Sequence, residues 1–330
     1  MNVVSNNFGR IGYVKVLPYG REDTPANWIR FEGLDIRFDI SKPIGAVCMD
    51  ATISILGMSH DHIRMLTTWA ADAVAFAKPN RIQVWAGYTN NVFCIFDGSI
   101  IYAIPTMPPD VWLNINARSG YYRCAIVKTG DVSLLESDLK PFPKWVKDMC
   151  TFIGIDYDTT AIDEITDTVT FKAYIGTVTL QEVIYDLKRE CDKRNCIMIE
   201  SVQTSGKSKF DFKKRYTTTS SSPYVISKDT GMIGVPKITW NEIEVTTLLN
   251  GIGEGLRGNF IDVYSRFAMP GLFDKNGNKR DIDDINIYHA EYRVNNVRYH
   301  GHLRGDEWYV TYKAWRNFTK DDEKVPEVTI

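Results

Sequence analysis

The sequence has no apolar window of the roughly 18 residues that a membrane-spanning helix requires. Its first ten residues contain neither the basic segment nor the apolar segment of a secretion signal. An excess of charge of one sign is also missing, because 39 lysines and arginines face 41 aspartates and glutamates, for a net charge of −2. These absences predict a soluble protein made in a cytoplasm, with no membrane partner and without nucleic acid as its principal partner.

Cysteines are few and scattered along the chain. Only Cys191 and Cys196 lie close together, and no second pair accompanies them at the spacing of a zinc site. Because such cysteines usually pack as small apolar side chains, we expect reduced and mostly buried thiols. The other four are Cys48, Cys94, Cys124 and Cys150.

Catalytic motifs are missing as well, since neither Gly-x-Ser-x-Gly nor His-Glu-x-x-His occurs. The glycine-rich stretch 251–258 lacks the terminal Lys-Ser/Thr of a phosphate-binding loop, and a strand pattern follows it instead of a helix. Carboxylates are plentiful, but none pairs in the contrasting surroundings that would separate two pKa values. The sequence therefore predicts no catalytic residue, no cofactor-binding residue and no enzymatic activity.

The stretch 274–281 has the composition of a calcium loop but not its spacing. Gly277 is fourth instead of sixth, and no glutamate stands at the twelfth position, where an EF-hand has one. Asn276-Gly277 is better explained as a tight turn. We expect no metal here.

Two histidine pairs are the other candidate metal ligands. His60 and His62 are two residues apart in a predicted helix and point to different sides. His300 and His302 would share one face of a strand, which permits a shared ligand, but no third ligand is evident. We favour hydrogen-bonded structural histidines and expect no metal site.

Alternating apolar and polar residues predict short strands in the first part of the chain. Such patterns start at Leu34, Met49, Ile82 and Val111. One helix interrupts them, with Ser59 as its N-cap and Pro79 at its end. Many short strands with one flanking helix favour a twisted barrel or sandwich over residues 1–129.

The periodicity becomes helical after that point. Apolar residues keep helical spacing over 143–153, and Gly154 ends this helix. A second helix starts at Thr179, which forms a capping box with Glu182. We assign residues 130–205 to a small helical insert.

The stretch 206–224 is rich in serine and threonine and has a basic first half. Its basic residues are Lys207, Lys209, Lys213, Lys214 and Arg215, with Phe210 and Phe212 between them. Contact with nucleic acid and a solvated loop are both compatible with this composition. At a net charge of −2 we favour an exposed loop.

Short alternating strands return in the last third of the chain. The patterns are 243–247, 261–265 and 308–314, and Gly, Pro and Asn turns separate them. We assign residues 225–318 to a second strand-rich domain and residues 319–330 to a polar tail.

The order of phrases in this sequence resembles that of the baseplate hub proteins of bacteriophage tails. In the last third these phrases are Gly-x-Pro at 234–236, Leu-Leu-Asn at 248–250, a strand ending at Ser265, and His-Gly…Gly-x-x-Trp over 300–308. In the first half, 31–38, 85–88 and 95–101 resemble the family's opening strands, its Ala-Gly-Tyr turn and its Phe-x-Gly-x-Ile strand.

This resemblance implies a mainly β fold with an α+β insert, in which two tube-like β-barrel domains flank a small helical insertion. It also implies a structural virion protein, a homotrimeric hub subunit in the baseplate of a phage tail, for which contractile and non-contractile kinds both stay open and we favour the contractile one. Such a subunit adapts the six-fold tail tube to the three-fold central spike and lines the channel used in DNA ejection.

The resemblance further implies the partners of the chain. They are other copies of itself, the tail tube protein, the central spike, the baseplate wedge proteins and the tape measure protein, with DNA only as passing cargo. No cofactor is implied. Assembly would take place in the cytoplasm of the host bacterium and end in the virion.

A polar loop in the second domain is the candidate docking site. It consists of Lys275, Asn276, Gly277 and Asn278. Because it is long and polar, we expect it at an exposed rim, in contact with the tube or a neighbouring baseplate protein.

Two other classes of protein remain open. A glycan-binding or glycan-cleaving tail protein would also be rich in strands and aromatic residues, but would need a cleft with paired carboxylates or exposed aromatics. The hub of a phage-like secretion or bacteriocin particle would share nearly every feature above.

Overall fold

The computed structural model describes residues 9–45, 49–67, 79–119, 127–130, 139–169, 176–202, 208–214, 223–239, 241–263 and 291–316. In the first part, the strands are β1 (Arg10–Leu17), β2 (Ile29–Phe31), β3 (Asp35–Pro43), β4 (Asp50–Leu56), β5 (Arg81–Tyr88), β6 (Asn91–Pro105), β7 (Trp112–Arg118) and β8 (Val127–Gly130). The middle part contains β9 (Lys140–Pro141), β10 (Asp156–Asp158), β11 (Thr168–Val169), β12 (Gly176–Thr179), β13 (Cys196–Val202) and β14 (Ser208–Lys214).

The last part contains β15 (Tyr224–Ile226), β16 (Met232–Ile238), β17 (Glu242–Leu248), β18 (Phe260–Val263), β19 (Glu291–His302) and β20 (Trp308–Arg316). The α-helices are α1 (His60–Leu66), α2 (Phe142–Ile153), α3 (Leu180–Lys193) and α4 (Gly253–Leu256). The mainly β fold with a small helical part is therefore confirmed. None of the described helices reaches the length and apolarity needed to cross a membrane.

Thirteen of the described strands form one sheet that runs through both ends of the chain. Its order is β16-β17-β20-β19-β3-β4-β7-β6-β5-β1-β2, with β18 beside β19 and β15 beside β18. Among the described residues this order is an open path and does not close on itself. The fold thus joins the first and last parts of the chain through hydrogen bonds.

The two parts of the sheet repeat one strand order. In the first half the order is β3-β4-β7-β6-β5-β1, and in the second half it is β16-β17-β20-β19-β18-β15. Each strand of the first half therefore corresponds to the strand at the same place in the order of the second half, for example β3 to β16 and β6 to β19. A short helix lies between the corresponding strands in both halves, α1 after β4 and α4 after β17.

Irregular positions repeat as well. The pairing of β6 with β7 shifts register between Ile100 and Tyr102, and that of β19 with β20 shifts between Val294 and Asn296. The bulge in β6 follows the residues that pair with β5, and the bulge in β19 follows the residues that pair with β18. The two bulges therefore fall at corresponding places. The halves also differ, since β1 is antiparallel to β5 whereas β15 is parallel to β18. In addition, β16 shifts register against β17 between Ile233 and Lys237, whereas β3 and β4 pair without a shift.

The halves meet at the seam between β3 and β19. Seven residue pairs run antiparallel along it, from Asn296 opposite Pro43 to His302 opposite Arg37. The inward residues Phe38 and Tyr299 belong to a hydrophobic core that continues from one half into the other. Because side chains alternate across a strand, the same pairing places Asp39 and Arg298 on the opposite, solvated face.

The middle of the chain builds a separate core. Helix α3 packs on β13 and helix α2 packs on α3, and the buried residues of this cluster run from Phe142 to Phe212. Helix α2 ends at Gly154, whose φ of 71° is the left-handed cap that glycine accepts. Helix α3 begins with the predicted capping box of Thr179 and Glu182. We call this unit the insert.

One expectation about this part is corrected. Residues 206–224 were expected to form an exposed loop, but Ser208–Lys214 is a strand paired with β13. Phe210 and Phe212 are buried in the core of the insert, because they alternate with the charged residues that we took as evidence of a loop. The prediction is wrong for these seven residues.

Two further expectations concern helix α1 and the cysteines. Helix α1 begins after Ser59, as expected, and ends at Leu66, whereas we expected helix up to Pro79. The segment 68–78 lies outside the described residues. The described cysteines are all free and buried, as predicted; they are Cys94, Cys150, Cys191 and Cys196.

Candidate interaction surface on the polar face of the sheet

The large sheet has one face on the core and one polar face. The polar face runs across β17, β20, β19, β3, β4 and β7, where outward side chains follow the alternation of each strand. Its residues are Arg37, Asp39, Ser41, Asp50, Thr52, Ser54, Asn114, Asn116, Arg118, Glu242, Glu244, Thr246, Arg298, His300, His302, Thr311 and Lys313. Both halves of the sheet contribute strands to this solvated surface.

An ion pair bridges the halves at the centre of this face. Arg298 of β19 donates two hydrogen bonds to Asp39 of β3, at 2.8 Å from Nε to Oδ1 and 2.5 Å from Nη2 to Oδ2. These bonds raise the pKa of Arg298 above its ordinary value. Because both side chains are about half exposed, the pair contributes at most about 1 kcal/mol, and its main effect is to fix the register of the seam.

The seam histidines have structural contacts: His302 is hydrogen-bonded, and the ring of His300 packs against that of Tyr309 at 5.0 Å between centroids. His302 Nε2 lies 3.2 Å from Oδ2 of Asp35 and also accepts a hydrogen bond from Arg37 at 3.2 Å. His300 Nδ1 lies 3.8 Å from Asp39. Burial lowers the pKa of His300, with the Asp39 carboxylate acting in the opposite direction.

These two histidines share a face of β19, as the alternation predicted. Among the described residues no group of three or more His, Cys, Asp or Glu could hold a metal ion. His62, the other candidate, lies 2.9 Å from the hydroxyl of its N-cap Ser59 and packs edge-on against Phe31.

Other cations of the polar face also have partners. Arg118 donates to Asp50 at 2.7 Å, and Lys313 lies 3.2 Å from Glu244. The Arg37 guanidinium stacks 4.1 Å above the ring of Trp112. Burial alone would raise the pKa of Glu244, but hydrogen bonding and charge from nearby lysines lower it overall.

Uncharged polar side chains fill the space between these pairs. Ser54 donates to Asn114 at 2.7 Å, and the hydroxyls of Thr246 and Thr311 lie 3.1 Å apart. The polar face therefore offers hydroxyls and amides, together with cations that already have an acidic or aromatic partner. Such a surface has little to attract a phosphate backbone.

The insert joins the sheet through a buried polar contact. Ser119, at the end of β7, is fully buried; it accepts a hydrogen bond from the backbone N–H of Met49 at 2.8 Å and donates to Glu200 of β13 at 2.7 Å. One hydroxyl thus links the first half of the sheet to the insert.

A second contact links the insert to the other half. Lys213 of β14 donates to the carbonyl oxygen of Arg257 at 3.1 Å and to Oδ1 of Asn259 at 2.9 Å. Arg293 of β19 donates to the carbonyl oxygens of Gly258 at 2.9 Å and Lys214 at 2.6 Å. Burial, with the nearby cations Arg293 and Arg257, lowers the pKa of Lys213 from 10.5 to about 8.

The basic stretch that could have contacted nucleic acid is neutralised inside the insert. Lys209 lies 2.8 Å from Asp211, and Lys214 lies 2.7 Å from Glu164. This supports the structural interpretation of the stretch. Lys207 and Arg215 lie outside the described residues.

The candidate docking loop, Lys275, Asn276, Gly277 and Asn278, also lies outside the described residues. Sequence reasoning did not find the polar links at the seam and at the insert. The alternation of β3 did mark Asp39 as a residue of a wet face, but the partner Arg298 follows 259 positions later. Ser119 lies in sequence without any motif, so nothing marked it.

Comparison with known proteins places the chain in a family. A family model described as baseplate hub gp41 matches residues 21–257, which is most of the chain. The chain belongs to the baseplate hub gp41 family. Its role is therefore that of a structural hub subunit in a phage tail baseplate, and the resemblance found in the sequence is confirmed.

Solved structures have the same fold as this hub. The 43 kDa tail protein of prophage MuSo2 from Shewanella oneidensis is 9% identical, with a TM-score of 0.51 over 92% of this chain and 96% of that one. The tail protein from Neisseria meningitidis MC58 is 9% identical, with a TM-score of 0.52 over 94% and 97%. A chain of the PdpA–VgrG complex is 8% identical, with a TM-score of 0.55 over 94% and 66%. No curated protein sequence matches the hub.

Proposed function

We propose that three copies of this hub form a ring that adapts the six-fold tail tube to the three-fold central spike. The observation that carries the proposal is the repeated strand order of the two halves within one sheet. Three chains then present six similar halves towards the tube. The insert and every difference between the halves occur three times, which matches a three-fold partner.

The halves would correspond to two tube-like barrel domains, 1–129 and 225–318, with the insert over 130–205 between them. Strand β14 extends the insert to Lys214, so residues 215–224 would connect the insert to the second domain, and 319–330 would form a polar tail. The two core clusters support this division, because the insert has its own.

The polar face would line the central channel. DNA must pass such a channel without being held, and a surface whose cations are paired releases few counterions on contact with DNA. The ion pairs Arg298–Asp39 and Arg118–Asp50 support this role. DNA would therefore be passing cargo during ejection.

We expect the hub to act through assembly alone, without hydrolytic activity. The sequence lacks nucleophile motifs, and the described residues hold no three-ligand metal cluster. Zymography on peptidoglycan and on capsule, with lysozyme as the positive control, tests this. A cleared band at the position of the hub would favour a glycan-cleaving tail protein instead.

Its partners would be the tail tube protein, the central spike, the baseplate wedge proteins and the tape measure protein. Assembly would take place in the host cytoplasm. The polar loop at 275–278 would dock at an exposed rim. Alanine substitution of Lys275, Asn276 and Asn278 should weaken attachment of tube or wedge protein in a pull-down without changing the mass of the hub assembly.

Mass photometry together with negative-stain imaging tests the ring. We expect a particle of three chains, each of 37.7 kDa, with a central channel, either alone or with spike and tube protein present. A hub that stays monomeric even with both partners would refute the adaptor role.

The same geometry would serve in a phage-like secretion particle, and the VgrG-containing complex of the same fold keeps this setting open. The genes that neighbour the hub gene distinguish the two settings, because only a phage requires capsid and packaging genes.

A further inference from the structure

We propose that the ring closes by strand addition, with β16 of one copy pairing antiparallel with the end of β6 of the next copy. This inference rests on the trimer proposed above and names the surfaces that hold it together. The partner of each surface is a second copy of this chain.

The seam inside the chain is the template. There, β3 pairs with β19 beyond the bulge, while β18 pairs with β19 before it. By the repeated strand order, β16 corresponds to β3 and β6 corresponds to β19. In the first half, β5 pairs with β6 up to Ser99, and the strand continues to Pro105.

The correspondence can be followed residue by residue. Arg298 is opposite Thr311 in β20, and Ile104 is opposite Asn114 in the corresponding strand β7. Each lies two residues beyond the position where pairing resumes after the bulge, Asn296 in β19 and Tyr102 in β6, so Ile104 corresponds to Arg298. By the same count, Ile238 corresponds to Ile40 through the pairing of each with β17 or β4.

Transfer of the seam register predicts the contacts between copies. Tyr299 lies opposite Ile40 inside the chain, so Pro105 of one copy should lie opposite Ile238 of the next. Ile104 should then lie opposite Thr239, and Thr106 opposite Lys237. Pro105 has no N–H to donate, so side-chain contacts must supply more of the stability of this seam.

The exposed side chains at these two edges fit that requirement. At the end of β6, Ile104 is 56% exposed and Met107 is 86% exposed. Along β16, Val235 is 44% exposed and Ile238 is 41% exposed. Large apolar side chains exposed in groups mark association surfaces, and here they occur at both edges that the template brings together.

The two kinds of seam also differ in chemistry. The internal seam carries the ion pair of Arg298 and Asp39, whereas the corresponding residues at the external seam are Ile104 and Lys237. The ion pair therefore has no counterpart at the external seam, where Ile104 takes the place of the arginine. Since internal and external seams alternate around the ring, closure at six halves requires three chains.

Cysteine cross-linking tests the pairing directly. Ile104 and Lys237 are both exposed. They would be diagonal neighbours across the proposed pairing, so the Cβ atoms of Ile104→Cys and Lys237→Cys would lie about 7–8 Å apart. The double variant, treated with a short bismaleimide in the presence of spike and tube protein, should give linked two-chain and three-chain species on a denaturing gel. A mixture of the two single variants should give two-chain species only.

Controls identify what each result means. Wild type and each single variant alone should give no linked species, and neither should Lys237→Cys combined with Thr52→Cys at the centre of the polar face. A trimer by mass photometry in which Ile104→Cys and Lys237→Cys do not link would overturn this inference and leave the adaptor role intact. A chain that stays monomeric with its partners would overturn both.

Discussion

Gly301 is the position where we expect a single methyl group to disturb the hub most. It lies in β19 at the seam, directly opposite Phe38 in β3 and Trp308 in β20. The Phe38 ring covers it: a Cβ added at Gly301 would lie 2.1 Å from Cζ and 2.4 Å and 2.6 Å from the two Cε atoms. The replacement Gly301→Ala therefore requires the ring to move.

The size of that movement sets the size of the effect. Carbon atoms in contact are about 3.5–4.0 Å apart, so the ring must withdraw by more than about 1 Å. It is 4% exposed and packs 5.5 Å from the Trp308 ring, so there is little room. Overpacking of this kind costs about 1–3 kcal/mol, and alanine regains about 0.5–1 kcal/mol over glycine in a strand. We expect a net loss of about 1–2 kcal/mol.

Urea unfolding followed by circular dichroism gives the free energy of unfolding. Gly12→Ala is the matched control, because its Cβ would come no closer than 3.1 Å to the Trp308 ring, and it should cost less. Phe38→Leu removes the obstructing atoms, so the double variant with Gly301→Ala should lose less stability than the sum of the single losses. Strict additivity, or a Gly301→Ala variant as stable as wild type, would show that this reasoning is wrong.

Other substitutions test the links described above. Ser119→Ala should cost about 2–3 kcal/mol in urea unfolding, because the Met49 N–H and the Glu200 carboxylate each lose one buried hydrogen bond, whereas Ser54→Ala on the polar face should stay within about 0.5 kcal/mol. Lys213 has a folded-state pKa of about 8, below its ordinary 10.5. Between these pH values the unfolded chain therefore binds more protons than the folded chain. Wild type should gain stability relative to Lys213→Met as pH rises from about 8 to 10.5. A stability difference between the two that does not change with pH would contradict this. Asp39→Asn with Asp50→Asn removes two negative charges beside Arg298 and Arg118. Fluorescence anisotropy should then show duplex DNA binding with a log–log salt slope near −2, and two Asp→Asn replacements in the insert should give weaker binding.

Local patterns predicted the local features of the fold. The alternation from Leu34 onward marks β3, and the capping box of Thr179 marks the start of α3, because both depend on neighbours within a few residues. The strand β14 was missed for a related reason. Its apolar residues, Phe210 and Phe212, alternate with lysines that we attributed to a loop on composition alone.

The links between distant parts could not be predicted in this way. The pairing of β3 with β19 joins residues more than 250 positions apart, and no periodicity records which strand lies beside which. The same holds for Glu200, which reads as an ordinary charged residue after a short strand. Only its placement beside the buried hydroxyl of Ser119 reveals that it anchors the insert.

A chain with two joined halves separates two tasks that identical subunits would have to combine. The internal seam forms within one molecule, so it bears no entropy of association and can rely on Arg298 and Asp39 to fix its register. The external seam must overcome that entropy, which requires buried apolar area. The residues of the external edges have this character, with Ile104 in the place of Arg298 and Val235 exposed on β16. The internal seam thus has an ion pair, and the external edges have exposed apolar side chains. We expect this distribution if β16 and β6 meet only between copies.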